Sequence, residues 1–301
     1  MSAPASATLR FPGCAVRVES DDPAVLAELA RLWPFACTPA VTPPGAARRA
    51  APIRPARREA AAEPPTFRLV ATRGGLAVHR PDVPGTAPSR PLPAAALLPV
   101  LERTIQQLLT ERVADRLLLH AAAVGLRGGA VLLPAPSGSG KTTLAAALVR
   151  GGAAYLTDEL TVLAAHDGDE RVEPFPKALS LKDGSLPLFP GLPTTAAGAP
   201  GERVHHLAPD DLRHGCAACE ALPVAAVLLP HYRPDAPHPA AIAPLTAGET
   251  FLALFEAAAN LPLHKQAGVD RLLALARRYP GARLTFRDLE AAVAAVLAHD
   301  G

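Results

Sequence analysis

A chain of 301 residues, 49% of them hydrophobic, has material for one large domain or two small ones with a real core. Thirty basic against 28 acidic side chains leave a formal net charge of +2, which gives no electrostatic case for a nucleic acid or a membrane surface as partner. No apolar run reaches the ~18 residues of a membrane helix, the opening Met1-Ser2-Ala3-Pro4-Ala5 lacks the pattern of a secretion signal, and the expected location is cytoplasmic.

Four cysteines, Cys14, Cys37, Cys216 and Cys219, are expected as free thiols in a reducing compartment. Cys216-x-x-Cys219 follows His205, His206 and His214, but the spacings match no standard zinc ligand set. A solvent-exposed loop without metal is the expectation there.

In chain order, residues 7–19 read as two short strands around Pro12-Gly13. A helix follows, capped by Ser20, Asp21 or Asp22, with Val25, Leu26, Leu29 and Leu32 at helical spacing. Residues 34–65 turn to Pro, Ala and Arg with few large apolar side chains, the composition of a loop or linker. Phe67–Ala71 and Leu76–His79 flank Arg73-Gly74-Gly75 as a β-hairpin. Pro93 to Arg116 then reads as a helix with Leu97, Leu98, Leu101, Ile105, Leu108 and Leu109 on its buried stripe. Residues 1–33 and 66–114 therefore form a small α+β unit that carries no chemical motif.

From about residue 115 the pattern becomes that of an α/β nucleotide-binding domain running to residue 301. Leu117–Val124 and Ala130–Leu133 bracket Gly125–Gly129 and should pair as an antiparallel hairpin. Centred near residue 127, that hairpin sets position 120 opposite 134, which brings His120 to the mouth of the next loop. This loop is Ala135-Pro136-Ser137-Gly138-Ser139-Gly140-Lys141-Thr142-Thr143, between an apolar strand and a run of helix formers.

It meets the phosphate-binding pattern G-x-x-x-x-G-K-[ST] except that Ala135 stands at the first glycine. The loop Pro136–Thr143, through the backbone N–H groups from Ser137 onward and the helix N-terminus, would hold a polyphosphate, Lys141 would reach its β/γ-phosphates, and Thr142 would ligate Mg²⁺. ATP and Mg²⁺ are the cofactors expected.

The helix after Lys141 runs back, and Ala153–Leu156 climbs again through a right-handed crossover as a parallel strand adjacent to the loop. Its carboxyl end lies on the phosphate edge, and it carries Thr157-Asp158-Glu159. Asp158 could bind Mg²⁺, directly or through water, or take a proton from an attacking hydroxyl.

Further on, Glu173–Gly184 reads as a strand bracketed by lysines, and Lys177, Lys182 and Arg233 are candidates for a second cation on the transferred phosphoryl group. Gly184–Pro223 is Pro-, Gly- and His-rich, a surface excursion. Val224–Leu229 resumes a strand, Thr246-x-x-Glu249 reads as a capping box, Val269–Arg278 as a helix, and Ala282–Phe286 with Asp288–Leu297 as a closing strand and helix.

Taken together, His120, Ala135–Thr143, Arg150-Gly151 and Leu156–Glu159 resemble the HPr kinase/phosphorylase family, and most of all its HPr-kinase-related protein kinases. The resemblance covers residues 115–165 well and extends loosely to the C-terminus through Tyr232-Arg233-Pro234. It implies a phosphate-loop fold like that of ATP-dependent phosphoenolpyruvate carboxykinase and phosphorylation of a serine or threonine hydroxyl on a protein or peptide.

By that resemblance Asp158 is the base, Glu159 supports the metal site with Thr142 and Asp158, and His120 lies beside the transferred phosphate; Lys182 joins the catalytic set as one of the three candidate second cations, the choice among Lys177, Lys182 and Arg233 staying open. The phosphorylase-type members carry Ser-Glu after the loop lysine and an Arg-Gly-Leu-Gly-Ile-Ile-Asn-Val signature. Here Thr142-Thr143 follows Lys141 and the signature is absent, so phosphorolysis is not expected. A non-kinase ATP-binding switch or assembly module acting through a partner is the competing reading, and a homo-oligomer stays open under either.

Overall fold

A computed structural model describes residues 5–12, 14–33, 37–39, 65–72, 75–80, 84–85, 87–92, 94–166, 168–175, 177–197, 203–279 and 281–299. By contact density the chain divides into two units, residues 1–112 with 180–208, and residues 113–179 with 209–301. Residues 180–208, expected within the nucleotide-binding domain, thus group with the first unit.

Period-two alternation builds the first unit's main sheet. β1 (Ala5–Phe11) and β2 (Cys14–Ser20) pair antiparallel with Phe11 opposite Cys14, and their buried residues, Ala7, Leu9 and Phe11 with Val16 and Val18, alternate along each strand. Asp22 caps α1 (Pro23–Leu32) by accepting from the Ala24 N–H at 2.9 Å, and Pro23 fits the first helical turn.

Within the expected linker, β3 (Cys37–Pro39) forms an edge strand on β1, and residues 40–64 lie outside those described. β4 (Thr66–Thr72) pairs parallel with β2 and antiparallel with β5 (Gly75–His79); Arg73 and Gly74 of the expected turn lie outside the described residues. α2 (Ala94–Arg112) buries Leu101, Ile105, Leu108 and Leu109, while the Leu97 and Leu98 side chains fall outside the described set.

The second unit starts with β6 (Leu117–Leu119), β7 (Ala121–Leu126) and β8 (Gly129–Pro134), followed by α3 (Lys141–Arg150) and β9 (Ala154–Thr157). Next come the hairpin β10 (Thr161–His166) and β11 (Asp169–Glu173), then β12 (Leu179–Lys182). In the segment that groups with the first unit, a 3-10 turn (Asp183–Leu188), β13 (Thr195–Ala197) and β14 (Val204–Leu207) follow, and β12, β14 and β13 make a separate three-stranded sheet.

The chain returns through α4 (Pro209–Leu212), β15 (Leu222–Tyr232), β16 (Ala240–Pro244), α5 (Ala247–Ala257), α6 (Leu261–Arg278), β17 (Ala282–Phe286) and α7 (Leu289–His299). The capping box at Thr246 and Glu249 is formed as read.

The fold is mixed α/β, and its large sheet runs β6-β10-β11-β15-β8-β7-β9 with β17 and β16 added along β15. β15 curls that sheet because its length lets it change partners: Leu222 and Pro223 pair with β11, Val224–Val227 with β8, and Leu228–Tyr232 with β17. On one face Leu117, Leu119, Ala121, Ala123, Ala130 and Leu132 form a buried cluster with Leu254 of α5 and Leu272, Leu275 and Ala276 of α6. The alternate residues of β7, Ala122 and Val124, are buried on the other face, where α3 packs against β7. Among the described residues no helix is long and apolar enough to cross a membrane.

Three sequence expectations change. The strand expected over Leu117–Val124 is two strands, broken at His120, and β6 pairs with β10 rather than β8. The hairpin register is one residue off, with Ala121 and not His120 opposite Pro134. β9 is parallel to β8 in direction but not adjacent to it, because β7 holds the seat between them.

Candidate functional site

The site forms where two neighbouring strand paths break side by side. Leu119 is paired with Thr161, and Ala123 with Thr157, so the interruption at His120 faces the corner Asp158-Glu159-Leu160 between β9 and β10. Thr157 Oγ1 accepts from the N–H groups of Glu159 and Leu160 at 3.3 Å each, and Thr161 Oγ1 donates to Ala121 O at 2.9 Å. These side-chain bonds replace the ladder hydrogen bonds that the corner forgoes.

His120 is fixed through its backbone, whose N–H donates to Ala257 O at 2.6 Å. Asn260 secures β6 nearby, accepting from Leu118 N–H and donating to Val113 O and Arg116 O, each at 2.8 Å.

The loop from β8 to α3 comes to the same edge. Gly138 and Gly140 hold φ of +88° and +89°, a left-handed conformation open to glycine. A Cβ on Gly140 would also meet Phe286 Cζ at 3.0 Å and Tyr232 Cβ at 3.3 Å. Ala135, where the motif has glycine, needs no such freedom: among the described residues the one non-glycine with positive φ is Lys265. The Tyr232 N–H donates to Ser139 O at 3.0 Å, which ties the loop to the end of β15.

Lys141 opens α3, is 7% exposed, and folds its ammonium back across the loop to donate to Ala135 O at 3.0 Å. Thr142 and Thr143 follow in the first turn, with Pro136, Ser137 and Ser139 in the loop itself. Ser139 Oγ is buried without a hydrogen-bond partner, a leftover donor beside this helix N-terminus. A cleft of about 340 Å³ opens along the loop's first half, lined by His120, Ala135, Pro136, Ser139, Ala253 and Glu256 among others.

His120 links loop to corner. Its Nε2 lies 3.4 Å from Lys141 Nζ and its Nδ1 3.3 Å from Glu159 Oε1. Burial, and then the charges of Lys141 and Lys177, push its pKa below the ordinary histidine value against the opposing pull of Asp158. The neutral ring accepts from Lys141 at Nε2 and donates from Nδ1 to Glu159.

A group whose folded pKa lies below its unfolded value binds fewer protons when folded, so stability falls as pH drops below the ordinary value of 6.5. Thermal melts should therefore show a wild-type loss on acidification from pH ~7 to ~5.5 that is smaller in His120→Gln.

Asp158 is 0% exposed, and its Oδ1 lies 3.0 Å from Lys177 Nζ and receives the Tyr155 hydroxyl at 3.0 Å. Lys177, 1% exposed, is therefore the lysine that meets Asp158. Lys182 is exposed at the end of β12, in the first unit. Arg233 is exposed and paired to Asp235 at 2.7 Å.

Sequence reading missed Tyr155, although a tyrosine in an otherwise apolar strand three residues before an acid was the available sign. It also missed Arg213, whose guanidinium donates to Val149, Gly152 and Ala153 carbonyls and caps the end of α3.

The cysteine loop differs from expectation. Cys216 is buried, and the segment docks on the edge of β9: Tyr155 N–H donates to Cys216 O at 2.7 Å and Ala218 N–H to Tyr155 O at 2.8 Å. Its thiol donates to Pro209 O, and burial pushes its pKa up to about 11. Cys219 is exposed. Among the described residues no three His, Cys, Asp or Glu side chains come together to hold a metal.

No protein-family model matches the sequence, and no curated protein matches it. Among solved structures the chain is similar to the Hpr(Ser) kinase/phosphatase from Coxiella burnetii at 11% identity and a TM-score of 0.32, over 61% of this chain and 94% of that one. The geometry of the site, and not this likeness, bears on function.

Proposed function

We propose that the protein is an ATP- and Mg²⁺-dependent kinase that phosphorylates a serine or threonine hydroxyl of a protein or peptide, without phosphorolytic activity. The observation that supports it is one histidine joining both halves of a phosphoryl-transfer site: His120 lies against Lys141 of the loop and Glu159 of the acidic corner, within the fields of Asp158 and Lys177.

The residues fit ATP and Mg²⁺. Gly138, Gly140 and the start of α3 give backbone N–H groups to phosphate oxygens, and Ser139 Oγ is a buried donor still to be satisfied. Lys141 would exchange Ala135 O for the β- and γ-phosphates. Thr142, Asp158 and Glu159 are the oxygen ligands this chain would offer to Mg²⁺. Bound there, Mg²⁺ would neutralise charge on the transferred group.

In the transfer the acceptor oxygen bonds to the γ-phosphorus, the bond to the β-phosphate oxygen breaks with its electrons leaving on ADP, and the hydroxyl proton passes to the Asp158 carboxylate. Neutral His120 holds Lys141 and Glu159 in place without adding charge. The cleft beside Ala135, Pro136 and His120 borders the loop where Lys141 ends, the side from which an acceptor would enter.

The competing reading, an ATP-binding switch acting through a partner, draws on the burial of Asp158 against Lys177, which keeps that carboxylate covered in this state. Calorimetric titration with ATP, with and without Mg²⁺, tests the shared premise. Mg²⁺-dependent binding is expected, and absence of binding at millimolar ATP would remove both readings.

A further inference from the structure

Lys177 is more deeply buried than a phosphate-contacting lysine needs to be. Its ammonium is 3.0 Å from Asp158 Oδ1 and donates to Ala178 O at 3.0 Å, with both charged residues covered at 0–1% exposure. Burying two such ions costs free energy that their attraction offsets in a good geometry, and well-packed apolar side chains are often at least as stable in their place. Stability alone does not explain the pair.

The cation comes from outside the sheet. Phe175 N–H donates to Leu156 O at 2.9 Å, pinning the segment after β11 along β9, and Lys177 N–H returns to Phe175 O at 3.0 Å. The segment thus delivers a long, flexible side chain to Asp158 at the strand's end while Phe175 stays bonded to β9. The ammonium can leave Asp158 without any strand hydrogen bond breaking.

We propose that Lys177 is the resident counter-ion of Asp158: in the nucleotide-free protein its ammonium occupies the carboxylate at which a divalent cation binds. When ATP·Mg²⁺ enters, the cation displaces the ammonium toward the phosphate oxygens. This rests on the kinase reading for the carrier of the metal. The exclusion of free metal by Lys177 does not depend on it.

Both ions are compact and strongly hydrated, and two of them at one carboxylate oxygen repel, so occupancy is exclusive. Tyr155, donating to the same Oδ1, keeps the carboxylate oriented during the exchange. No covalent bond is made or broken in this exchange.

Mn²⁺, a spectroscopically visible substitute for Mg²⁺, tests this by electron paramagnetic resonance on the nucleotide-free full chain. Wild type should need millimolar Mn²⁺. Lys177→Met and Lys177→Gln should each bind at least about tenfold more tightly, the scale of removing one competing charge, and the gain should vanish in Asp158→Asn/Lys177→Met. Thermal melts identify folded variants, and the Gln variant serves if the Met variant does not fold.

Micromolar Mn²⁺ binding by wild type, which no folding defect can obscure, would overturn the proposal. So would unchanged affinity in a folded Lys177 variant, or a gain that persists without Asp158. Failure of wild type to bind ATP·Mg²⁺ would instead remove the kinase reading and leave the Mn²⁺ result to judge Lys177 by itself.

Discussion

Replacing Lys141 by alanine is expected to lower affinity for ATP·Mg²⁺ by about 10²-fold or more while the protein stays folded. The loop otherwise offers neutral backbone N–H groups, and Lys141 is its one side-chain cation among Ala135–Thr143. A charge-assisted hydrogen bond contributes about 1.5–3 kcal/mol, and a lysine reaching two phosphates loses more than one when truncated. Lys141 donates to Ala135 O within the loop and lies beside the partly exposed His120. Calorimetry on a variant that melts like wild type decides it. Unchanged affinity would mean that this loop is not the phosphate site.

Asp158→Asn is expected to act twice. Phosphoryl transfer should fall by roughly 10²- to 10⁴-fold, the range for losing a positioned base, while ATP still binds through the loop. The amide also leaves the Lys177 ammonium buried without its counter-charge, and breaking a buried pair from one side costs about 3–5 kcal/mol.

The two effects separate in Asp158→Asn/Lys177→Met, which removes both charges: denaturant midpoints should recover toward wild type while the transfer rate does not. A folded Asp158→Asn protein that transfers phosphate at the wild-type rate would contradict the assignment. Full stability in the single variant would contradict the buried pair.

Local signals carried the loop. Gly138, Gly140 and Lys141 lie within four consecutive positions whose backbone angles and chemistry are prescribed together, so one sequence window specifies the turn, the helix start and the cation. Asp158 was legible by geometry, since a chain that leaves β8, passes through α3 and returns must end its next strand on the same edge. The seat of that strand was not. The hairpin before the loop already places β7 beside β8, and β9 adds to β7 from the far side.

His120 reached the loop mouth despite a register one residue off, because the strand breaks there and Ala257 O holds its backbone. Lys177 could not be singled out. It lies in an irregular segment next to Pro174 and Pro176, where a lysine ordinarily points to water, and only the pinning of Phe175 to Leu156 turns it inward. Cys216 misled for the same reason: a Gly-, Ala- and Cys-containing stretch without periodicity is buried because it pairs with the open edge of β9.

The central claim is that this site moves a phosphoryl group from ATP to a hydroxyl. The direct measurement is incubation of the purified full chain with γ-labelled ATP, Mg²⁺ and the protein products of its genomic neighbours, with parallel assay of released inorganic phosphate. The account predicts label on a serine or threonine of one acceptor, dependent on Mg²⁺ and absent with Lys141→Ala and strongly reduced with Asp158→Asn. Mg²⁺-dependent ATP binding with label appearing only as inorganic phosphate, at a rate that Asp158→Asn leaves unchanged, would contradict it.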